Sequence, residues 1–203
     1  MAKGAWVVLA IAIPVVIGNV VVVWFVLQSG FSAREEPMEI EVLFARQLRH
    51  LAMPKAQKQM TNPVPVSEEA LAEARSHFAD HCATCHGNDG SGSTMIGQSF
   101  YPRTPDLTKP ATQSFSDGEL FYIIHNGVRF TGMPAWGKDR PESDLESWNL
   151  VHFIRHLPHI TSEELEEMER YNPTSQVARE EQERIDRFLQ GEELDPPSPA
   201  HRH

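Results

Sequence analysis

The sequence predicts a mainly α-helical protein in which a long apolar N-terminal helix precedes a small helical domain with long loops and a helical acidic extension. Three observations carry that prediction. The stretch from Ala5 to Leu27 is almost purely apolar. Between Ser67 and Pro158 helix-capping signals recur, and no run with the two-residue alternation of a strand stands out. From Ile160 to His203 twelve carboxylates meet five arginines, which supplies −7 of the chain's formal −10. At 203 residues there is room for one ordinary domain plus appendages. The acidic balance argues against a nucleic-acid partner, which requires a basic surface.

In "AWVVLAIAIPVVIGNVVVVWFVL" Asn19 is the only polar side chain, and the run is long enough for a helix to cross the hydrocarbon core of a bilayer. Trp6 and Trp24 would lie about 27 Å apart on such a helix, near the two interfaces. A cleaved signal peptide is the competing reading, with a small-x-small site at Gly30-Phe31-Ser32, but its apolar region would run only about 7–15 residues. Residues 1–30 are therefore expected to be a retained single-pass anchor, in which Pro14 and Gly18 are tolerated. Lys3 favours a cytoplasmic N-terminus while Arg34, Arg46 and Arg49 oppose it, so charge alone leaves the orientation open.

Residues 31–66 form an expected connecting region. "REEPMEIEVLFARQLRHLAM" places Ile40, Leu43, Phe44, Leu48 and Leu51 at helical spacing, with Pro54 as a stop. That apolar face is suited to a membrane surface, to a partner subunit, or to folding back on the main domain. "KAQKQMTNPVPV" reads as an extended polar linker.

The domain from 67 to 158 opens with Ser67 as N-cap and Glu68 and Glu69 in the first turn, where the helix dipole favours negative charge. Leu71, Ala74, Arg75 and Phe78 share one face of this helix. Ser116 with Glu119, and Ser143 with Glu146, predict two further capped helices. The first should end at Gly127, and the second should stop before Pro158 and bury Leu145, Trp148, Val151, Phe153, Ile154 and Leu157. The 25 residues from Asn88 to Thr112 carry no strong helix or strand pattern. A loop that long inside a compact domain implies that something bulky fills the space.

"HCATCHGNDGSG" holds the chain's only cysteines, Cys82 and Cys85, followed at once by His86. C-x-x-C-H is the attachment signature of c-type haem. One helical turn presents two thiols to the two vinyl groups of the porphyrin, and His86 reaches the iron from the same side. A structural zinc site would want further Cys or His ligands, and a redox-active C-x-x-C would sit in a βαβ setting that is missing here. A plain disulfide would leave His86 and the long loops unexplained.

Taken in order, "CATCHGNDGSG", "IGQSFYPRTPDLT", "SDGELFYIIHNGVRFTGMPAWG" and a closing helix resemble a class I monohaem cytochrome c domain, over residues 67–158. The resemblance implies a small helical fold wrapped around one covalent haem c, with His86 as proximal iron ligand and Met133, in the Gly-Met-Pro loop, as distal ligand. Met95, His125, His152 and His156 are the alternatives for that sixth position. By the same resemblance a proline carbonyl, from Pro102 or Pro105, holds the proton on the other ring nitrogen of His86. Tyr101, Arg103, Arg129 and Trp136 are candidates for the propionates or the haem edge. Covalent attachment takes place on the outer side of the bacterial inner membrane, which implies a periplasmic haem domain and settles the orientation.

The extension, residues 159–203, lies outside the resemblance. Thr161 with Glu164 caps one expected helix, and "SQVAREEQERIDRFLQ" forms another, ended by Gly191, with Val177, Ile185, Phe188 and Leu189 on a sparse apolar face. This segment suits packing on the haem domain, binding to a larger assembly, or simple solvation. "ELDPPSPAHRH" reads as disordered, and His201 and His203 as incidental.

The implied function is one-electron transfer between donor and acceptor proteins, by a membrane-anchored cytochrome of the respiratory chain that is either a tethered carrier or a subunit of a respiratory or dehydrogenase complex. It is not in itself an enzyme. A haem sensor or small haem enzyme with a displaceable sixth ligand is the alternative.

Overall fold

The computed structural model of the protein describes residues 2–29, 32–137, 140, 144–173 and, beyond these, 177, 181, 182, 184, 185, 187 and 189. The described chain contains helices and turns and no strand. It divides into two units, Met1–Glu36 and Pro37–His203.

The first unit is one helix, α1 (Ala2–Ser29), which runs through Pro14. Its described apolar side chains are exposed, from 53% at Phe25 to 73% at Trp6. Among the described residues no helix is long and apolar enough to cross a membrane.

In the second unit the principal packing pair is α4 (Glu68–His77) with α8 (Leu145–His156), and α7 (Asp117–Asn126) packs on α8. Trp148 stacks on Phe121 with ring centroids 4.1 Å apart, and Phe78 meets Phe153 at 5.1 Å. Phe78, Phe121, Trp148, Val151, Phe153, Leu157 and Met168 are fully buried. Ser67 caps α4 by accepting from Ala70 N–H at 3.1 Å. Ser116 and Glu119 form the expected reciprocal capping box, and Gly127 ends α7 at φ +66°. The second expected box is not what starts α8. Asp144 is the N-cap there, accepting from Ser147 N–H at 3.1 Å, and Ser143 lies outside the described residues. Leu145, expected in the core, is 54% exposed because it falls on the outer side of the first turn.

The linker departs most from expectation. Lys55–Lys58 form a short helix, α3, against α7, and the Ser116 hydroxyl donates to the Lys58 carbonyl at 2.8 Å. Gly118 is required at this contact, since a Cβ would collide with the Gln57 carbonyl. Met60 and Val64 pack on the core, Asn62 Nδ2 donates to the Trp148 carbonyl at 2.9 Å, and His152 Nε2 meets the Val64 carbonyl at 2.8 Å. A prolyl-rich polar sequence reads as solvated until side chains elsewhere offer it partners.

The acidic extension begins as part of the same packing. α9 (Ser162–Glu169), opened by the Thr161/Glu164 capping box, buries Met168 completely. Arg75 of α4 reaches Glu164 at 2.9 Å and Glu167 at 2.6 Å, and His156 Nε2 also meets Glu164 at 2.9 Å. Asn172 donates to the Ala79 carbonyl and pairs with Asn88. The residues described beyond 173 are helical, whereas Phe188, Gly191, His201 and His203 lie outside the described residues. Replacing Arg75 by Ala is expected to cost about 1–3 kcal/mol, measured by denaturant midpoint, because two carboxylates lose their charged donor in a partly buried place.

These carboxylates also set the acid behaviour. Burial pushes the Asp144 carboxyl up, but hydrogen bonds from Ser147 and His125 more than offset it and leave the group below its ordinary value. Glu164 behaves likewise, burial opposed by His156 and Thr161. A folded-state value below the unfolded one stabilises the fold above about pH 4, and that stability is lost as pH falls through the depressed values. Denaturant midpoints are therefore expected to be level down to roughly pH 4–5 and to drop below it. Asp144→Asn should flatten that drop.

Candidate haem site

The C-terminal end of α4 does not run straight into the cysteines. A π-turn, Phe78–Cys82, intervenes before the last helical turn, α5 (Ala83–His86). Such bulges re-aim the side chains that follow them and are frequent at functional sites. Phe78 and Ala79 are buried, so the turn is held by the core, and the Phe78 ring lies 6.3 Å from that of His86. Gly87, at φ +74°, ends α5 and releases the chain into the loop.

That loop is tied back to the motif. Gly92 N–H donates to the His86 carbonyl at 2.7 Å, and the Thr94 hydroxyl donates to the Cys85 carbonyl at 3.0 Å while accepting from Gly97 N–H at 2.9 Å. Gly97 lies so close to the Cys85 carbonyl that a Cβ would collide with it, and a Cβ on Gly92 would strike the Thr104 carbonyl. For Thr94 and Gly97 the Gly/Ser-rich composition after the motif is the only sequence signal that the backbone approaches itself there.

Electrostatics distinguishes this C-x-x-C from a redox-active one. Part of Cys82 reaches the surface, but its thiol lies among apolar groups, which pushes its pKa up to about 12, with Cys85 adding to the effect. Burial raises Cys85 as well. Reactive C-x-x-C pairs show the opposite, a thiol lowered toward neutrality. Burial pulls His86 down to about 4, against a smaller opposing effect of the Pro105 carbonyl. His86 Nδ1 is buried and makes no hydrogen bond of ordinary geometry, so Pro105 faces the ring without closing a full bond. At neutral pH the ring is the uncharged imidazole that ligates metal ions.

The Gly-Met-Pro loop is braced on both sides of Met133. Its N–H donates to the Thr131 hydroxyl at 3.2 Å, and its carbonyl accepts from Val128 N–H at 3.1 Å. Trp136 and Gly137 N–H groups donate to the Ile124 and His125 carbonyls at 3.1 and 3.0 Å, which fastens the loop to the end of α7. A Cβ on Gly132 would meet the Phe100 ring at 2.7 Å, so this glycine lets the loop lie against the segment that follows the cysteine motif. The Trp136 ring completes the link, edge-on to His81 at 5.4 Å. Met133 itself is half-buried.

The alternatives for the sixth position are occupied otherwise. His125 is buried, stacks on Phe121 and meets Asp144 at 2.7 Å. His152 and His156 hold Val64 and Glu164, and Met95 is 85% exposed. Of the candidates for the haem edge, Trp136 adjoins the motif through His81. Tyr101 donates to Glu41 at 2.6 Å, Arg103 reaches Gln98 at 3.3 Å, and Arg129 is exposed. Pro102 is exposed, and Pro105 is the proline whose carbonyl acts on His86. A cleft of about 350 Å³ lies away from the cysteines, lined by Arg46, Arg49, His50, Met53, Phe115 and Glu119.

Two thiols, an imidazole neutral at ordinary pH and, on a separate braced loop, a methionine are residues whose chemistry fits a covalently held haem, and the chain carries a c-type cytochrome domain. Residues 69–154 match the family described as Cytochrome C oxidase, cbb3-type, subunit III. The Cbb3-type cytochrome c oxidase subunit CcoP of Cereibacter sphaeroides is 36% identical over 76 residues, 37% of this chain and 24% of that protein. The Thiosulfate dehydrogenase of Stutzerimonas stutzeri is 30% identical over 94 residues, 45% of this chain and 29% of that protein. The chain thus spans only about a quarter of the length of these curated relatives. A cytochrome c domain implies covalently bound haem c and electron transfer.

Proposed function

We propose that the protein is a membrane-anchored, single-haem cytochrome that passes electrons one at a time between redox partners at the periplasmic face of the bacterial inner membrane. The reading is supported by the C-x-x-C-H motif of Cys82, Cys85 and His86 together with the braced Met133 loop, whose Trp136 lies edge-on to His81. When bound, haem c supplies a ferric/ferrous couple. The chain's part is to hold it: Cys82 and Cys85 by thioether bonds, His86 and Met133 as axial ligands, and Pro105 by orienting the imidazole. With only two cysteines, the chain has thiols for one such group.

The subunit form is favoured over the tethered carrier. A swinging carrier needs a loose linker, and 55–66 is strapped to the core. The relative named as an oxidase subunit points the same way. The apolar sequence of α1, with its described side chains exposed, supports the anchor. The test is purification of the full chain from native membranes in mild detergent. One haem per chain that survives denaturation, reversible one-electron reduction and co-purifying redox proteins are expected. High-spin iron that, once reduced, binds carbon monoxide readily would sink the electron-transfer reading in favour of a sensor or haem enzyme.

A further inference from the structure

Helix α2 (Glu39–Ala52) is mounted on the domain by the side that would ordinarily face water. Arg49 lies over the Phe115 ring at 5.4 Å, His50 meets Glu119 at 3.5 Å, Glu41 accepts from Tyr101, the His50 carbonyl accepts from Lys58, and Met53 at the helix end is buried. The opposite face consists of Ile40, Leu43, Phe44, Leu48 and Leu51, between 49% and 75% exposed. The helix buries none of its residues. Five large apolar side chains aligned on one helix face and left open form a contiguous patch of the kind that marks a contact surface.

Three observations identify what covers it. Its chain neighbour is the apolar helix α1, and only the nine residues 30–38 separate the two, a length that spans at most about 32 Å. The helix has low mean hydropathy with a strongly one-sided distribution, Ile, Leu and Phe on one face and Glu39, Glu41, Arg46, Arg49 and His50 elsewhere, the one-sided pattern of helices that lie in a bilayer interface. At 14 residues it offers only two heptads, too few for a stable coiled coil with a second copy of this chain.

We propose that α2 lies in the plane of the membrane interface, with Ile40, Leu43, Phe44, Leu48 and Leu51 among the lipid acyl chains, and so holds the haem domain against the bilayer surface. This rests on the reading of α1 as a membrane anchor. The haem-loaded full chain, reconstituted in vesicles of phosphatidylethanolamine and phosphatidylglycerol, would be labelled with a phospholipid carrying a photoreactive group on its acyl chain. Label is expected in 5–27 and also in the tryptic peptide 35–46, at least about tenfold above the peptides of the haem domain. Leu43→Glu with Phe44→Glu should lower the label in 35–46 about tenfold, with the haem spectrum and the label in 5–27 unchanged. Label in 5–27 without label in 35–46 overturns the proposal and leaves the anchor standing. Label in neither overturns both, and label in 35–46 that persists in the double variant overturns the assignment of the face. Photocrosslinks from 35–46 to a protein in native membranes, in place of lipid, also overturn it.

Discussion

Met133→Ala is expected to abolish the weak far-red absorption band of sulfur-ligated ferric haem and to lower the reduction potential by on the order of 0.1 V. The thioether favours the ferrous state, and its loss leaves the sixth position to water or a stronger donor. The variant should still fold, because Met133 is half-buried and its loop is braced by backbone bonds to Val128, Ile124 and His125 that do not involve its side chain. Met95→Ala is the control. That side chain is 85% exposed and should change neither band nor potential. An unaltered far-red band in Met133→Ala, measured on the ferric protein at neutral pH, would remove Met133 from the iron.

Replacing both Cys82 and Cys85 by Ser is expected to have the largest effect on the protein as a whole. Haem would no longer survive acid-acetone extraction, and the cooperative thermal transition of the domain should be lost. The second outcome follows from where the thiols sit. Cys82 packs against the core beside Phe78 and Ala79, and the loops from Gly87 to Leu107 close on the motif through a small number of backbone bonds rather than through apolar packing. Without the group they enclose, those loops have little to order them. A single replacement, at either position, should leave one thioether and a folded, less stable cytochrome. Haem that remains covalently bound in the double variant would overturn the assignment.

Local signals were legible wherever a few adjacent residues suffice. Ser67, Ser116 with Glu119, Thr161 with Glu164, and Gly127 each act within one helical turn, and each occupies its expected place. The start of α8 shows how such a signal slips by one. Ser143 and Asp144 are both good caps, and the partner that chooses Asp144 is His125, nineteen residues earlier in the chain. Leu145, in the first turn that follows this cap, is 54% exposed.

By itself the sequence determined the class of this domain. Cysteine spacing, the adjacent histidine and the Gly-Met-Pro order are short-range facts, and the two thiols and the imidazole need only one turn of helix to point together. Only the tertiary structure decided what else belongs to the domain. The linker 55–66 and the first acidic helix lack the apolar content to announce burial, and they are held by polar partners elsewhere in the chain: Ser116, Trp148 and His152 for one, Arg75 and His156 for the other. It also decided which face of α2 meets the protein. Amphipathic spacing marks two faces but cannot rank them, and here Phe115, Glu119 and Tyr101 take the polar one and leave the apolar one outward.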